Sequence, residues 1–149
     1  MNRALLIVLF AAVTGQAQTP AQGLQNVKSL TCEFQLMATG TWTADGETRA
    51  EIRPRRLTLG FANIDTQDGS AEVASTVGAP HIVVQFSGGY LHFMQIGGSG
   101  FLYTTTVFSK VSRPGKFKAV HTRHEYTEAS IPGYTSRPEQ YYGECEMRG

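Results

Sequence analysis

His81-Ile82-Val83-Val84-Gln85-Phe86-Ser87-Gly88-Gly89-Tyr90-Leu91-His92-Phe93-Met94-Gln95 is the stretch whose reading decides the fold. Two runs rich in Val, Ile, Phe and Tyr flank a Gly-Gly pair, the pattern of two strands joined by a two-residue primed turn that needs positive φ. Pairing outward from the turn sets Ser87 opposite Tyr90, Phe86 opposite Leu91 and Val84 opposite Phe93. Opposed residues share a face. Ile82, Val84, Phe86, Leu91 and Phe93 then form one apolar face with Gln95 at its end. Val83, Gln85, Tyr90, His92 and Met94 form a mixed face. His92 faces Gln85, and His81 faces Ile96. One buried and one wetter face is the signature of an antiparallel sheet.

The same punctuation recurs along the chain. Expected strands are Ser29–Thr39, Glu47–Arg53, Leu57–Ile64, Ser70–Ser75, His81–Ser87, Tyr90–Gln95, Phe101–Ser109, Lys116–Tyr126 and Gln140–Met147. Tight connections at Asp45-Gly46, Asp68-Gly69, Gly88-Gly89, Gly97–Gly100 and Pro114-Gly115 make neighbours antiparallel, because parallel strands need a long crossover. The reading is an all-β antiparallel meander of about eight or nine strands, rolled into a closed or nearly closed barrel. A two-sheet β-sandwich is the alternative. A single helical turn fits Ala21–Lys28.

The first residues carry an export pattern. Met1–Arg3 holds one positive charge, Ala4–Val13 is wholly apolar, and Gly15-Gln16-Ala17 places small residues where a signal peptidase cuts. Residues 1–17 read as a signal peptide and 18–149 as one β-domain. A membrane anchor would need about 20 apolar residues, and polar residues begin at Thr14, so no span is expected after the signal is removed. The destination is the periplasm or the exterior. In an oxidising compartment the two cysteines, Cys32 and Cys145, are expected to pair. Closing a loop of about 100 residues contributes roughly 4.7 kcal/mol on the chain-entropy model. The bond would also hold the first and last strands together, which favours the barrel.

The chain has 13 basic and 12 acidic residues, and loss of Arg3 with the signal leaves them equal. A nucleic-acid protein would show a basic excess or stripe, so none is expected as a partner. Arg53, Arg55 and Arg56 are the densest basic cluster, and Pro54 among them suits a strand edge.

Motifs for chemistry are sparse. His121 and His124 are three apart, so on a strand they point to opposite faces and make a poor chelate. No metal or cofactor is expected. No Gly-x-Ser-x-Gly elbow or phosphate loop is present, and no catalytic residue is assigned. Asp65 and Asp68 read as turn residues. In the Phe101–Tyr126 hairpin, a two-residue tip at Pro114-Gly115 would set Phe108 opposite His121 and Thr106 opposite Arg123. Thr104, Thr106, His121 and Arg123 would then share a face able to hold a carboxylate or a phosphate if it points inward. A one-residue slip would turn those groups to solvent.

Two resemblances bear on this. Gly40-Thr41-Trp42 resembles the Gly-x-Trp signature of lipocalins, secreted eight-stranded barrels that hold small apolar ligands, although a lipocalin carries it nearer the start of its barrel. Phe117-Lys118-Ala119-Val120-His121-Thr122-Arg123-His124 with Gln140-Tyr141-Tyr142-Gly143-Glu144-Cys145-Glu146 looks like the C-terminal half of small exported bacterial β-proteins of unassigned function. That likeness implies a compartment and no activity. The function expected is a binding module for a small or lipidic ligand. The alternatives are an interaction or inhibitor module that meets an envelope protein through Thr127–Glu139 and Tyr141-Tyr142, and a small hydrolase using His121 or His124.

Overall fold

The computed structural model describes residues 19–74, 82–96, 100–125 and 137–148. The signal segment, His81, residues 97–99, the expected strand end Tyr126 and residues 127–136 of the expected interaction loop lie outside the described residues.

A short helix, α1 (Pro20–Gln25), precedes eight strands: β1 (Leu30–Trp42), β2 (Thr48–Asp65), β3 (Ser70–Val73), β4 (Ile82–Ser87), β5 (Tyr90–Ile96), β6 (Leu102–Arg113), β7 (Lys116–His124) and β8 (Glu139–Met147). Each strand pairs antiparallel with the next, and β1 also pairs with β8, so the sheet closes into a barrel. Closure rules out the two-sheet alternative.

The strand count is eight because the expected second and third strands are one. β2 runs without a break through Pro54, Arg55 and Arg56. Proline is tolerated there because it lies where β2 has a described partner on one side only: β1 pairs with Thr48–Phe61, whereas β3 meets β2 only from Phe61 to Asp65.

The Gly88-Gly89 hairpin has the expected register, with Ser87 opposite Tyr90, Phe86 opposite Leu91 and Val84 opposite Phe93. Both glycines have positive φ, 59° and 82°, which a primed turn demands. Ile82, Val84, Leu91 and Phe93 are buried, and Val83, Gln85, Tyr90 and Met94 are exposed. Phe93 stacks on Phe61 across the interior at 4.1 Å.

Cys32 and Cys145 are directly opposed on β1 and β8 and are bonded across 113 residues of sequence, both fully buried. The bond lies among the inward residues of the closing seam. Such a pair is compatible with an exported protein. Just beyond it β1 is irregular between Phe34 and Leu36. Gly143 allows this, because a Cβ there would lie 2.1 Å from the Glu33 carbonyl oxygen.

Helix α1 begins on a capping box, in which the Thr19 side chain accepts from the Gln22 amide and the Gln22 side chain reaches back to the Thr19 amide. The helix buries Leu24 fully, and Val27 follows it into the core. Trp42 lies at the far end of β1 and is more than half exposed.

The β6–β7 hairpin departs from expectation. The register shifts between Val107 and Val111 and again between Val111 and Arg113, so Thr105 faces His121 and Tyr103 faces Arg123. The displacement from the simple two-residue turn is odd-numbered and exchanges the two faces of β6. The inward row is Tyr103, Thr105 and Val107, opposite Arg123, His121 and Ala119 on β7.

Candidate functional site

Inward side chains at one end of the barrel surround a cavity of about 220 Å³. Leu59, Phe61, Val73, Ile82 and Phe93 supply an apolar wall, and Gln95, Tyr103, Thr105, His121 and Arg123 supply the polar part. Ligand sites for drug-sized molecules run to roughly 300–1,000 Å³. This space therefore suits a small molecule or one segment of a longer one.

Each polar group is placed by strand alternation. His121 and Arg123 lie two apart on β7 and share the inner face with the buried Phe117 and Ala119. Glu139 and Tyr141 face inward from β8, three and two alternations respectively from buried Cys145. Cross-strand neighbours set His121 beside Thr105 and Tyr141, and Arg123 beside Tyr103 and Glu139.

His121 is 4% exposed. Its Nδ1 is 2.8 Å from the Thr105 hydroxyl, and its Nε2 is buried with no hydrogen-bond partner. When Thr105 donates to Nδ1, the ring proton sits on Nε2. Phe34, Tyr141 and Tyr103 surround the imidazole, with ring centroids at 5.8, 5.9 and 6.2 Å. Burial, reinforced by the Arg123 charge, pushes the imidazole pKa down to about 3. His121 is therefore neutral near pH 7 and can donate or accept one hydrogen bond without carrying charge.

The Arg123 guanidinium lies between two aromatic faces, 5.6 Å from the Tyr103 centroid and 5.5 Å from that of Tyr141. Such contacts hold the plane of the group. Its Nε is buried and unpartnered, and among the described residues the ion pairs are Arg113–Glu144 and Lys116–Glu146, neither involving Arg123. Two acids lie close by: Glu139, directly opposite Arg123 on β8, accepts from Tyr141, and Glu125 accepts from Tyr103. Burial, followed by the hydrogen bond to Glu139, raises the Tyr141 pKa, so its hydroxyl stays protonated.

Of the four residues expected to form the site, His121 and Arg123 are brought together at the cavity. Thr104 and Thr106 are not. The shifted register puts them on the outer face, where Thr104 pairs with Thr122 and the Thr106 hydroxyl is 3.0 Å from His92 Nδ1. Thr105 and Tyr103 take their places, one residue to the side. His124 is exposed on the face opposite His121, as three-residue spacing on a strand requires. Tyr141 is buried and Tyr142 exposed, so the tyrosine pair splits between the two faces.

Sequence reasoning did not include Tyr103, Thr105, Glu139 and Tyr141 in the site. A signal existed for the last two. Cys145 must face inward to reach Cys32, and counting back by twos places Tyr141 and Glu139 on the same face.

Among the described residues no three His, Cys, Asp or Glu side chains are grouped to hold a metal, and no helix is long and apolar enough to cross a membrane. Compared with protein-family models, curated proteins and solved structures, the chain matches none.

Proposed function

We propose that this protein is an exported binding module, working in the periplasm or outside the cell, that holds a small molecule with an apolar body and a carboxylate head inside its barrel. The carrying observation is that two buried nitrogens, Arg123 Nε and His121 Nε2, are left without partners beside an apolar cavity. An unmet buried donor costs about 1–3 kcal/mol, more when charged. A carboxylate would meet both. Among the described residues that line the cavity Arg123 is the one cation, which matches a carboxylate better than a phosphate dianion. The apolar body would lie against Leu59, Phe61, Val73, Ile82 and Phe93.

The bonded cysteine pair is consistent with the compartment. A hydrolytic role draws less support, because an imidazole with a pKa near 3 is a weak base at neutral pH.

The test is native mass spectrometry of the protein purified from its own envelope, with Arg123→Met beside Arg56→Met. Arg56 is exposed on β2 and outside the cavity wall. The proposal expects an anionic adduct on the wild type and on Arg56→Met, and none on Arg123→Met. An adduct retained by Arg123→Met, or no adduct on a more stable Arg123→Met, would make this face structural.

A further inference from the structure

The first half of β2 has, among the described residues, an unpaired edge. From Thr48 to Leu59 it pairs with β1 on one side and, among the described residues, with nothing on the other. Thr48–Arg56 is exposed throughout. Edges that serve only to stay unpaired are kept short, twisted or charged, since a long row of free N–H and C=O groups is a template for another strand. This edge is long. It is also two-faced.

Strand alternation puts Arg49, Glu51, Arg53 and Arg55 on the inner face, opposite the inward row of β1 that includes Met37 and Thr39. The outer face carries Thr48, Ala50, Ile52, Pro54 and Arg56. Ile52 is 69% exposed; the exposed Leu36 and Tyr142 lie near it across β1 and β8, and the exposed Trp42 sits opposite Thr48 at the end of the same edge. A purely protective edge has no use for an apolar apron of this kind.

We propose that this edge receives an extended segment of a partner protein as an added strand, with acidic side chains alternating with apolar ones. Main-chain hydrogen bonds would supply affinity and the alternating side chains would supply selectivity. Charge complementarity selects the occupant. Along Thr48–Arg56 the edge holds Arg49, Arg53, Arg55 and Arg56 against the single acid Glu51. A second copy of the chain would bring this basic run against itself, and like charges opposed across strands are destabilising. Acidic residues on one face of an incoming strand meet Arg49 and Arg53, and apolar residues on its other face continue the surface of Ile52. Pro54 offers no N–H, so the donor row is interrupted there.

The test uses the full exported chain with its disulfide intact and a fluorescein-labelled peptide of alternating Glu and Val, followed by anisotropy at physiological salt. Three controls accompany it. They are the same peptide N-methylated at alternate residues, a Lys-Val peptide, and the paired variant Arg49→Glu with Arg53→Glu, whose fold is checked by circular dichroism. Arg53→Lys guards against loss of fold, since it keeps the charge and is expected to keep binding. Saturable binding of the Glu-Val peptide is expected, weakened about tenfold or more by N-methylation and by the paired charge reversal. Equal binding of the N-methylated peptide would reduce the effect to charge attraction and overturn strand addition. Absence of Glu-Val binding even at low salt would leave the edge merely protective. Sedimentation showing a dimer that the paired reversal dissolves would make a second copy the occupant instead.

Discussion

Burial and the Arg123 charge act on His121 in the same direction, and both lower its affinity for a proton. The folded-state pKa, about 3, lies below the ordinary 6.5, so the unfolded chain takes the proton first. The stability contributed by a neutral His121 is complete above pH 6.5 and is lost as pH falls toward 3. Asp65, held low by the Asp68 and Gln67 amides, and Glu144 and Glu146, held low by side-chain hydrogen bonds from Ser112 with Arg113 and from Lys116 respectively, all titrate below their ordinary carboxylate values. The interval from pH 7 to 5 therefore belongs to His121 among these groups. At about 1.36 kcal/mol per pH unit, chemical denaturation should find a loss of about 2 kcal/mol across it. His121→Gln should flatten that slope. An unchanged slope in the variant would place the titration elsewhere. The sequence marked His121 and Arg123 through their shared parity with Phe117 and Ala119. It could not mark Thr105, because a hydroxyl has no preferred face and its placement waits on the register of β6.

Register is the property that separates the legible elements from the rest. The β4–β5 hairpin could be read because Gly88-Gly89 admits one short turn, after which period-two alternation assigns every side chain. In the β6–β7 hairpin, Pro114-Gly115 marks the tip equally well, yet the irregular pairing around Val107–Arg113 moves the strand by an odd number of residues. Nothing in Lys110, Val111 or Ser112 announces a bulge, so Thr104 and Thr106 exchanged faces with Tyr103 and Thr105. β2 erred in the opposite sense, since Pro54 reads as a break and is tolerated where the strand has a described partner on one side only. The facing of β5 has a direct check. Phe93 is buried on Phe61, so Phe93→Ala should cost about 3–5 kcal/mol in equilibrium unfolding. Tyr90→Ala should cost clearly less, because that ring is 41% exposed and its edge contact is to Phe108 on the outer face. Equal costs would show the two faces to be misassigned.

For the whole molecule, closure depends on the seam between β1 and β8, and the disulfide holds that seam. The pairing was legible because a chain with an export pattern and two distant cysteines has one bond to make. That the barrel, not a sandwich, results is carried by the continuous pairing of β1 with both β2 and β8. Cys145→Ser should lower stability by about 2–5 kcal/mol, and thiol labelling of the denatured, unreduced protein should find no free sulfhydryl. Two labelled cysteines would remove the staple from the account. The cavity could not be foreseen in the sequence, since it depends on how far the inward side chains leave the barrel unfilled between Phe93 and His121. Its proposed use is tested most directly by isothermal titration of the ligand-free protein with octanoate, using octanol as the uncharged control and Arg123→Met as the variant. The account predicts saturable one-to-one binding of octanoate, much weaker binding of octanol, and loss of the preference for octanoate in Arg123→Met. Equal affinity for the acid and the alcohol, or undiminished octanoate binding by Arg123→Met, would contradict it.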